Sequence, residues 1–511
     1  MSRHVTLDTR HVRLMVRQMR LVVRHVRLLV RRMRVVTRQV RLITRRMRLI
    51  IRQVRFVFRQ VRLAICQASV KGRHPRLMGR QLLQWSRLRR TSARSSRRPR
   101  APSGCILWSA MLWLDLATLS GWLLVVITAR LLRGRRFGTS AAILVGVYSL
   151  LALAMAPFFH AILPLYLALH AVVYVNFLAL SRPRMRPLVY RLLVSWPAAF
   201  FMAGTLLGLP WGVAAALGFH PWAPWLPYAL SGIGLLQSLT LRAQTVDVVI
   251  GGPEQPGGVA PHPRGEAREE RPLRIVQITD PHLGPFMSVA RLRRIAARAV
   301  AQKPDLIFLT GDYLTMESQS DDTLLRRALE PLAAMPGRVF ACHGNHDHEA
   351  PEHVAGALAA NSIELLVDDE RVVQTEAGPV QIVGMEFVWR NRQAHLERVC
   401  REHPRKPGTT RIILLHDPGA FRHLPEGEGD LVLSGHTHGG QVGLVSLGLS
   451  WTFLRLFGRK LPDHGFWSRG KNRLYVHRGT GHYGFPLRLG VPSEESVIRV
   501  HCTTFAASLL P

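Results

Sequence analysis

The stretch DLVLSGHTHGG, residues 430–440, joins an apolar run of strand length to a cluster of glycine and histidine. The run is short and continuous in Val and Leu, which is typical of a strand buried on both faces. The glycines that follow allow sharp turns and close backbone approach. Side chains after such a strand are expected at the carboxyl end of a sheet, where ligands gather in layered α/β folds.

Four more apolar runs upstream end in the same way. They are RIVQIT (274–279) before Asp280 and His282, DLIFLT (305–310) before Asp312, RVFACH (338–343) before Asn345, and RIILL (411–415) before His416. Segments with a helical pattern lie between them, at 288–302 and 321–334. Alternating strands and helices predict an α/β domain in which the five polar clusters converge on one site.

The polar residues at the five strand ends are of types that bind metal ions. Asp, Asn and His without Cys form an oxygen and nitrogen site suited to Mn, Fe, Zn or Mg. Seven ligands are too many for one metal in an open catalytic site, and they suit two divalent ions that share a carboxylate. The candidate metal ligands are Asp280, His282, Asp312, Asn345, His416, His436 and His438.

The order of these motifs, DxH, GD, GNHD, H and GHTH, resembles the calcineurin-like metallophosphoesterase superfamily. The stretches SGHTHGGQ (434–441) and GTGHYGFPLRLGVPSEESVIRV (479–500) are similar to its membrane-associated branch, which includes transmembrane proteins with a metallophosphoesterase domain. The resemblance covers about residues 272–502. It implies a two-sheet sandwich flanked by helices.

The resemblance also implies a role for each motif residue. It assigns to the first metal Asp280, His282 and His438, to the second Asn345, His416 and His436, and to the bridge between them Asp312. His346 would donate a hydrogen bond or a proton to the phosphate or the leaving oxygen, and Asp347 would orient it. Hydroxide held between the two metals would attack phosphorus in line. The implied activity is hydrolysis of a phosphate ester, with a phosphodiester favoured, and the substrate-binding residues stay unassigned. A tether to the bilayer through the apolar segments upstream would make a lipid-linked ester, such as a phospholipid, a candidate substrate.

Residues 104–241 have a different character, because long apolar runs alternate with short loops. The runs lie near 105–129, 139–157, 160–181, 192–217 and 223–241. Each is close to the ~20 residues that a helix needs to cross a bilayer. The pattern predicts about five transmembrane helices, and therefore a multi-pass protein of the cell membrane with the lipid bilayer as a partner. Residues 242–271 are expected to form a linker.

The charges of the loops predict an orientation in the membrane. Arginines are concentrated in the loops after the first and third runs, at Arg130, Arg133, Arg135, Arg136, Arg182, Arg184, Arg186 and Arg191. Cytoplasmic loops carry an excess of such residues, so these loops and the catalytic domain are expected in the cytoplasm. The N-terminus would then lie outside, which conflicts with the arginines of residues 1–100. If one span is miscounted, the catalytic domain faces outward instead.

Residues 1–103 form an arginine-rich head that carries most of the charge. Residues 1–100 hold 30 Lys and Arg and one acid, Asp8, and so account for +29 of the net charge of +37. A seven-residue repeat fills 11–66. It is compatible with an amphipathic helix on a membrane or nucleic acid. A tandem 21-base DNA repeat read in frame is the favoured explanation, with translation starting downstream, for example at Met78 or Met111. If the head is translated, residues 1–103 are expected to be disordered. We therefore expect no functional domain here and no nucleic-acid partner.

Two further alternatives are open at the level of sequence. The apolar spans are compatible with a transporter or sensor that the soluble domain regulates, although Asp115 is the one acid clearly inside a span and transport pathways normally need more polar groups. Residues 444–470 mix Trp451 and Phe457 with Arg455 and Lys460. This composition suits either a lid at the membrane interface or a helix packed on the sandwich.

Overall fold

The computed structural model describes residues 103–250, 255–261, 271–458 and 461–502. These residues belong to one unit, in which a helical region precedes a layered α/β domain. The arginine repeats fall outside the described residues, so the expectations for the head stay predictions.

The helical region folds back on itself rather than running on as one rod. Its described helices are α1 (Ser103–Arg133), α2 (Arg135–Met155), α3 (Leu163–Leu180), α4 (Leu188–Tyr190), α5 (Trp196–Leu207), α6 (Leu209–Ala216) and α7 (Leu226–Ser238). A 3-10 turn, Ala156–Ile162, lies between α2 and α3 and contains Pro157 near its start. The Tyr148 hydroxyl lies 2.7 Å from His170 Nδ1, so α2 and α3 pack side by side as a hairpin.

Three helical segments of the described chain are long and apolar enough to cross a membrane. They are Trp113–Arg133, Arg135–Leu180 and Leu188–Leu207. The second comprises both arms of the hairpin. The segment expected at 192–217 divides at Gly208 into α5 and α6, and Pro210 follows at the start of α6. The segment expected at 223–241 contains a helix of 13 residues, α7, which is shorter than a bilayer span requires.

The α/β domain is built on two mixed sheets. The strands are β1 (Leu241–Ile250), β2 (Gln255–Pro261), β3 (Leu273–Ile278), β4 (Leu306–Leu309), β5 (Val339–Ala341), β6 (Glu364–Leu365), β7 (Asp369–Thr375), β8 (Gly378–Gly384), β9 (Thr410–Leu414), β10 (Leu431–Ser434), β11 (Gly465–Gly470), β12 (Asn472–Val476) and β13 (Ser493–Cys502). The first sheet has the order β1-β13-β3-β4-β5-β6, and the second has the order β2-β11-β12-β10-β9-β8-β7.

The two sheets pack face to face, and helices cover their outer faces. Ile275 of β3 and Phe308 of β4 meet Ile412 of β9 in the core between the sheets. The helices α8 (Val289–Ala301), α9 (Asp322–Leu329) and α10 (Pro351–Ala359) cover the first sheet, and α11 (Arg392–Glu402) covers the second. Because both faces of the central strands are buried, their sequences read as continuous apolar runs. The predicted two-sheet sandwich flanked by helices is confirmed.

The segment expected as a linker contributes two strands to the sandwich. β1 pairs in parallel with β13 over ten residues, and β2 pairs antiparallel with β11. The expectation that 242–271 is a linker therefore differs from the structure. Val246 and Val248 of β1 are buried in the core between the sheets, whereas Asp247 between them is half-buried and pairs with Arg499. The apolar side chains of β1 thus pack with residues of β13, such as Ile498 and Val500, which lie near residue 500.

A buried ion pair ties the end of β12 to β13, and its loss should destabilise the domain. Glu494 Oε2 accepts a hydrogen bond from Arg478 Nε at 2.7 Å, and Glu494 is 2% exposed. Glu494→Gln leaves the charge of Arg478 without this partner, so we expect a loss of about 3–5 kcal/mol. The thermal unfolding midpoint of the full chain in detergent should fall by roughly 10 °C.

The adjacent residue provides the control for this substitution. Glu495 pairs with Arg298 at 3.0 Å, but the Arg298 side chain is 49% exposed. A solvent-screened pair contributes about 0–1 kcal/mol, so Glu495→Gln should leave the midpoint nearly unchanged. Equal shifts for the two variants would show that burial of the Glu494 pair does not matter.

Candidate metal centre

The candidate ligands lie at the carboxyl ends of five strands, three in one sheet and two in the other. β3, β4 and β5 run parallel in the first sheet, and β9 and β10 run parallel in the second. The residues that follow these strands therefore emerge on the same edge of the sandwich. Side chains about 160 residues apart in sequence are neighbours at this edge. His436 N, for example, donates to Asp280 Oδ1 at 3.0 Å.

The first group of ligands consists of Asp280, His282 and His438. Their ligand atoms lie within 4.8 Å of one another. His438 Nε2 is 3.4 Å from Asp280 Oδ1 and 3.2 Å from His282 Nε2. All three residues are buried, and one carboxylate with two imidazoles is a donor set that suits Mn, Fe or Zn.

The second group consists of Asp312, His416 and His436, which satisfy the same 4.8 Å limit. His416 Nε2 lies 3.3 Å from Asp312 Oδ2, and the rings of His416 and His436 are 5.1 Å apart between centroids. Asp312 Oδ2 is also 3.6 Å from Nε2 of His282, a member of the first group. A single carboxylate thus lies between the two groups, where a bridging ligand is needed.

A buried amide oxygen and the orientation of His416 indicate that the site fits metal ions. Oδ1 of Asn345 is buried and makes no hydrogen bond, and Nε2 of His416 faces the carboxylate of Asp312 at 3.3 Å. A buried polar atom without a partner is costly, and a bound metal ion would supply the missing partner. His416 Nδ1 lies 2.7 Å from the carbonyl oxygen of Thr310, which fixes the ring with Nε2 turned toward Asp312. Such support of the second ring nitrogen is usual for metal-binding histidines.

The backbone at the site is strained in a way that serves ligand placement. Five of the seven candidate ligands have φ between 46° and 65°, namely Asp280, His282, Asp312, His436 and His438. Left-handed backbone is uncommon for residues with a Cβ atom and costs on the order of 1–3 kcal/mol at each position. Strain repeated at five positions of one cluster is typical of a functional site.

Two motif glycines make room for the carboxylates. A Cβ atom at Gly344 would overlap with Asp312 Oδ1, and one at Gly435 would overlap with Asp280 Oδ2. Any larger residue at these positions would displace a candidate ligand. The glycines of the GNHD and GHTH motifs are therefore required by the packing of the acidic groups against the neighbouring strand end.

Burial and mutual attraction set the protonation of the cluster. Burial lowers the pKa of His282 to about 3 and that of His436 to about 4, so both imidazoles are neutral and able to bind a cation. Burial also raises the pKa of Asp280 to about 6. Burial disfavours the charged forms of Asp312 and His416, but the attraction between these two groups outweighs burial. The pKa of Asp312 is therefore lowered, and that of His416 is raised to about 10. Metal binding at His416 therefore releases a proton.

His346 lies beside the cluster, and its partner is a residue that the sequence did not indicate. His346 Nδ1 is 3.2 Å from Oε1 of Glu349. Burial lowers the pKa of His346, but the contact with Glu349 outweighs this and the net shift is upward. The carboxylate of Asp347 instead accepts hydrogen bonds from the backbone N–H groups of Asp312, Tyr313 and Gly344. The expected orienting contact from Asp347 is thus made by Glu349, and Asp347 fixes the backbone of the bridging ligand.

A buried arginine supports the first group and was also missed. Arg488 is fully buried, and its guanidinium donates to the carbonyl oxygen of His438 at 3.1 Å and lies 3.2 Å from His438 Nδ1. It also donates to the carbonyl oxygen of Arg478 at 2.6 Å. A lone arginine in an apolar stretch has no spacing that would reveal this role.

The chain is similar in sequence to proteins named as phosphoesterases or as carrying such a domain. The chain is 28% identical over 235 residues to phosphodiesterase YaeI of Escherichia coli (strain K12). This match covers 45% of the chain and 82% of the relative. It is 27% identical over 281 residues to UDP-2,3-diacylglucosamine pyrophosphatase LpxG of Chlamydia muridarum. This match covers 44% of the chain and 83% of the relative. It is 29% identical over 245 residues to a transmembrane protein with metallophosphoesterase domain of Danio rerio, covering 43% of the chain and about half, 52%, of that relative.

The family match spans the strands and motifs that build the site. Residues 273–440 match the calcineurin-like phosphoesterase family, and this range includes all seven candidate ligands. The structure brings six of the seven candidate ligands together in two groups, and the assignment of Asn345 to the second ion stays a prediction. The chain therefore carries a calcineurin-like metallophosphoesterase domain.

Proposed function

We propose that this chain is a membrane-anchored phosphodiesterase that uses two divalent ions and acts on a lipid-linked phosphate ester. The observation that carries the proposal is the position of Asp312 between two ligand groups. One ion would be held by Asp280, His282 and His438. The other ion would be held by Asn345, His416 and His436, and Asp312 would bind both ions. When bound, two such ions neutralise charge on a phosphoryl group and make a water molecule acidic enough to act as a nucleophile at neutral pH.

Two side chains beside the metal centre, His346 and Glu349, would together supply a proton to the substrate. The ring of His346 lies edge-on to the ring of His282, with 5.5 Å between centroids, so it faces the place where the ions would hold a phosphate. Glu349 keeps the ring in that orientation through Nδ1 and leaves Nε2 free to donate to the phosphate or to the leaving oxygen. Protonation of the leaving oxygen matters for an ester whose alcohol is a poor leaving group.

Contacts between the helices and the domain support a cytoplasmic site. Arg133, at the end of α1, donates to Gln319 of the domain, and the carbonyl oxygen of Pro183, after α3, accepts from Ser320. Both arginine-rich loops therefore touch the catalytic domain and lie on its side of the helices. By the positive-inside rule that side is the cytoplasm.

A loop with exposed apolar side chains supports contact with lipid. Leu447 and Phe457 are each 74% exposed, in a segment that forms two 3-10 turns and not the packed helix that was one alternative. The segment lies beside the end of α7, because Gln237 Nε2 donates to Ser446 Oγ at 2.8 Å. Apolar residues at the end of a helical region are typical of a membrane interface.

The proposal is tested by competition between substrates. The full chain, purified in detergent and loaded with Mn²⁺, should hydrolyse bis(p-nitrophenyl) phosphate, and phospholipid vesicles should inhibit this hydrolysis while being cleaved themselves. p-Nitrophenyl phosphate, a monoester, should react more slowly than the diester. Equal rates on nucleotides and on lipids, or a preference for the monoester, would contradict the proposed substrate class.

A further inference from the structure

A cavity of about 370 Å³ lies between the helical region and the catalytic domain. This volume is within the range of pockets that bind small molecules. On the helical side its wall includes Phe137 and Leu144 of α2 and Phe177 of α3, and on the domain side Phe286, Met316 and Phe485. Phe137 and Leu144 are seven residues apart, so the cavity extends about 10 Å along α2 away from the domain.

Contacts on several sides hold the cavity open as part of the fold. Trp196 of α5 donates to the carbonyl oxygen of Pro285 at 3.3 Å and stacks on Phe286 at an angle of 8°. Near α7, a Cβ atom at Gly234 would lie 2.7 Å from Leu487, so helix and domain approach as closely as a glycine allows. The helices and the domain are thus fixed against each other around the cavity.

One end of the cavity is formed by the candidate metal centre itself. His282, a ligand of the first group, lines the cavity together with Tyr483. The Tyr483 ring stacks on His282 with 5.0 Å between centroids and lies edge-on to His346 at 4.9 Å. A phosphate held at the metal centre would therefore have one of its ester substituents directed toward the cavity.

The charges of the wall indicate which part of a substrate fits. Among the described residues, no Lys or Arg lines the cavity, and Glu317 is the one carboxylate in its wall. Glu317 is buried and accepts a hydrogen bond from Thr315 at 2.9 Å. Because it offers no Lys or Arg side chain, this part of the described structure is a poor site for a phosphate or another anionic group. It is complementary to an uncharged apolar chain.

We infer that this cavity binds the apolar chain of the substrate while the metal centre binds its phosphate. The inference rests on the proposed function, because it takes the phosphoester to be the group at the metals. Its occupant is one alkyl or acyl chain of a lipid phosphoester, which enters between α2, α3 and the loop around Phe485.

The test compares two diesters that share a leaving group in the full chain loaded with Mn²⁺. Bis(p-nitrophenyl) phosphate is soluble, whereas p-nitrophenyl hexadecyl phosphate in mixed micelles carries a chain of sixteen carbons. Leu144→Trp and Met316→Trp narrow the cavity from its two walls. We expect each to lower kcat/KM for the hexadecyl ester on the order of tenfold or more, mainly through KM, and to leave the soluble ester unchanged.

A matched control lies on the same helix. Leu150 of α2 is 71% exposed and does not line the cavity, so Leu150→Trp adds the same ring to the outer face of the helix and should change neither rate. Equal losses on both esters, or no loss on the hexadecyl ester in either cavity variant, would overturn the inference.

A binding measurement separates this inference from the proposed function. Metal-free protein in detergent is titrated with hexadecylphosphocholine by calorimetry, which requires no turnover. We expect binding that weakens on the order of tenfold in Leu144→Trp and persists in Leu150→Trp. If neither diester is hydrolysed but this binding pattern holds, the proposed function fails and the cavity remains a site for an apolar chain. If the diesters are hydrolysed but hexadecylphosphocholine binds equally to both variants, only the inference about the cavity fails.

Discussion

Replacing Asp312 by asparagine is expected to lower hydrolysis of a phosphodiester by at least about 10³-fold and to leave at most one metal ion bound per chain. Asp312 Oδ2 lies 3.3 Å from His416 Nε2 and 3.6 Å from His282 Nε2, so its charge serves both ligand groups. Asparagine keeps the shape of the side chain but removes that charge. The measurement is metal content by mass spectrometry together with turnover on the same sample.

The effect should be specific to this position. Asp321 caps α9 through a hydrogen bond from Thr323 N, and asparagine caps helices equally well. Asp321→Asn, nine residues further along, should therefore retain both metals and full activity. Turnover near the wild-type rate in Asp312→Asn would show that this carboxylate does not bridge.

Replacing His346 by alanine is expected to lower kcat by roughly 10²–10⁴-fold while the metal content stays at the wild-type level. His346 is held by Glu349 and lies edge-on to His282, but it does not belong to either ligand group. Its loss therefore removes a proton donor and no ligand. An ester with a better leaving group, such as a p-nitrophenyl ester, should lose less activity than an alkyl ester, because its leaving oxygen needs less protonation.

A neighbouring histidine controls for the loss of an imidazole. His348 is two residues further along, is 43% exposed at its side chain and pairs with Glu386 at 3.1 Å. His348→Ala should change kcat little. If His346→Ala loses metal in proportion to activity, His346 is a ligand and the assignment of its role is wrong.

The sequence predicted those strands whose own residue pattern already shows where they lie in the fold. The central strands are buried on both faces, so an apolar run such as LIFL of β4 marks a strand without knowledge of its partners. The ligands follow directly after these strands, and six of the seven candidates lie in the two groups of Asp and His side chains that the structure brings together.

The parts that were missed depend on partners distant in sequence. β1 begins LRAQT, with polar residues on one side, and its strand partner β13 begins at Ser493, about 250 residues later. Read alone, such a segment resembles a linker. The same holds for the cavity, because its wall combines helix ends with loops that lie hundreds of residues downstream.

The orienting residues of the site were missed for a different reason. The resemblance implied that Asp347 of the GNHD motif orients His346, but neighbouring side chains in a turn point in different directions. Glu349 reaches the ring because it lies at i+3, on the same face of the 3-10 turn. Asp347 turns inward and binds backbone N–H groups at the end of β4.

One carboxylate is proposed to join the two ligand groups into one metal centre, and a titration of metal-free full-length protein with Mn²⁺ tests this claim most directly. Activity on a soluble phosphodiester and bound metal are measured at each step. We predict that activity rises to its maximum at two ions per chain and stays absent in Asp312→Asn at any Mn²⁺ concentration. Full activity at one ion per chain would contradict the claim.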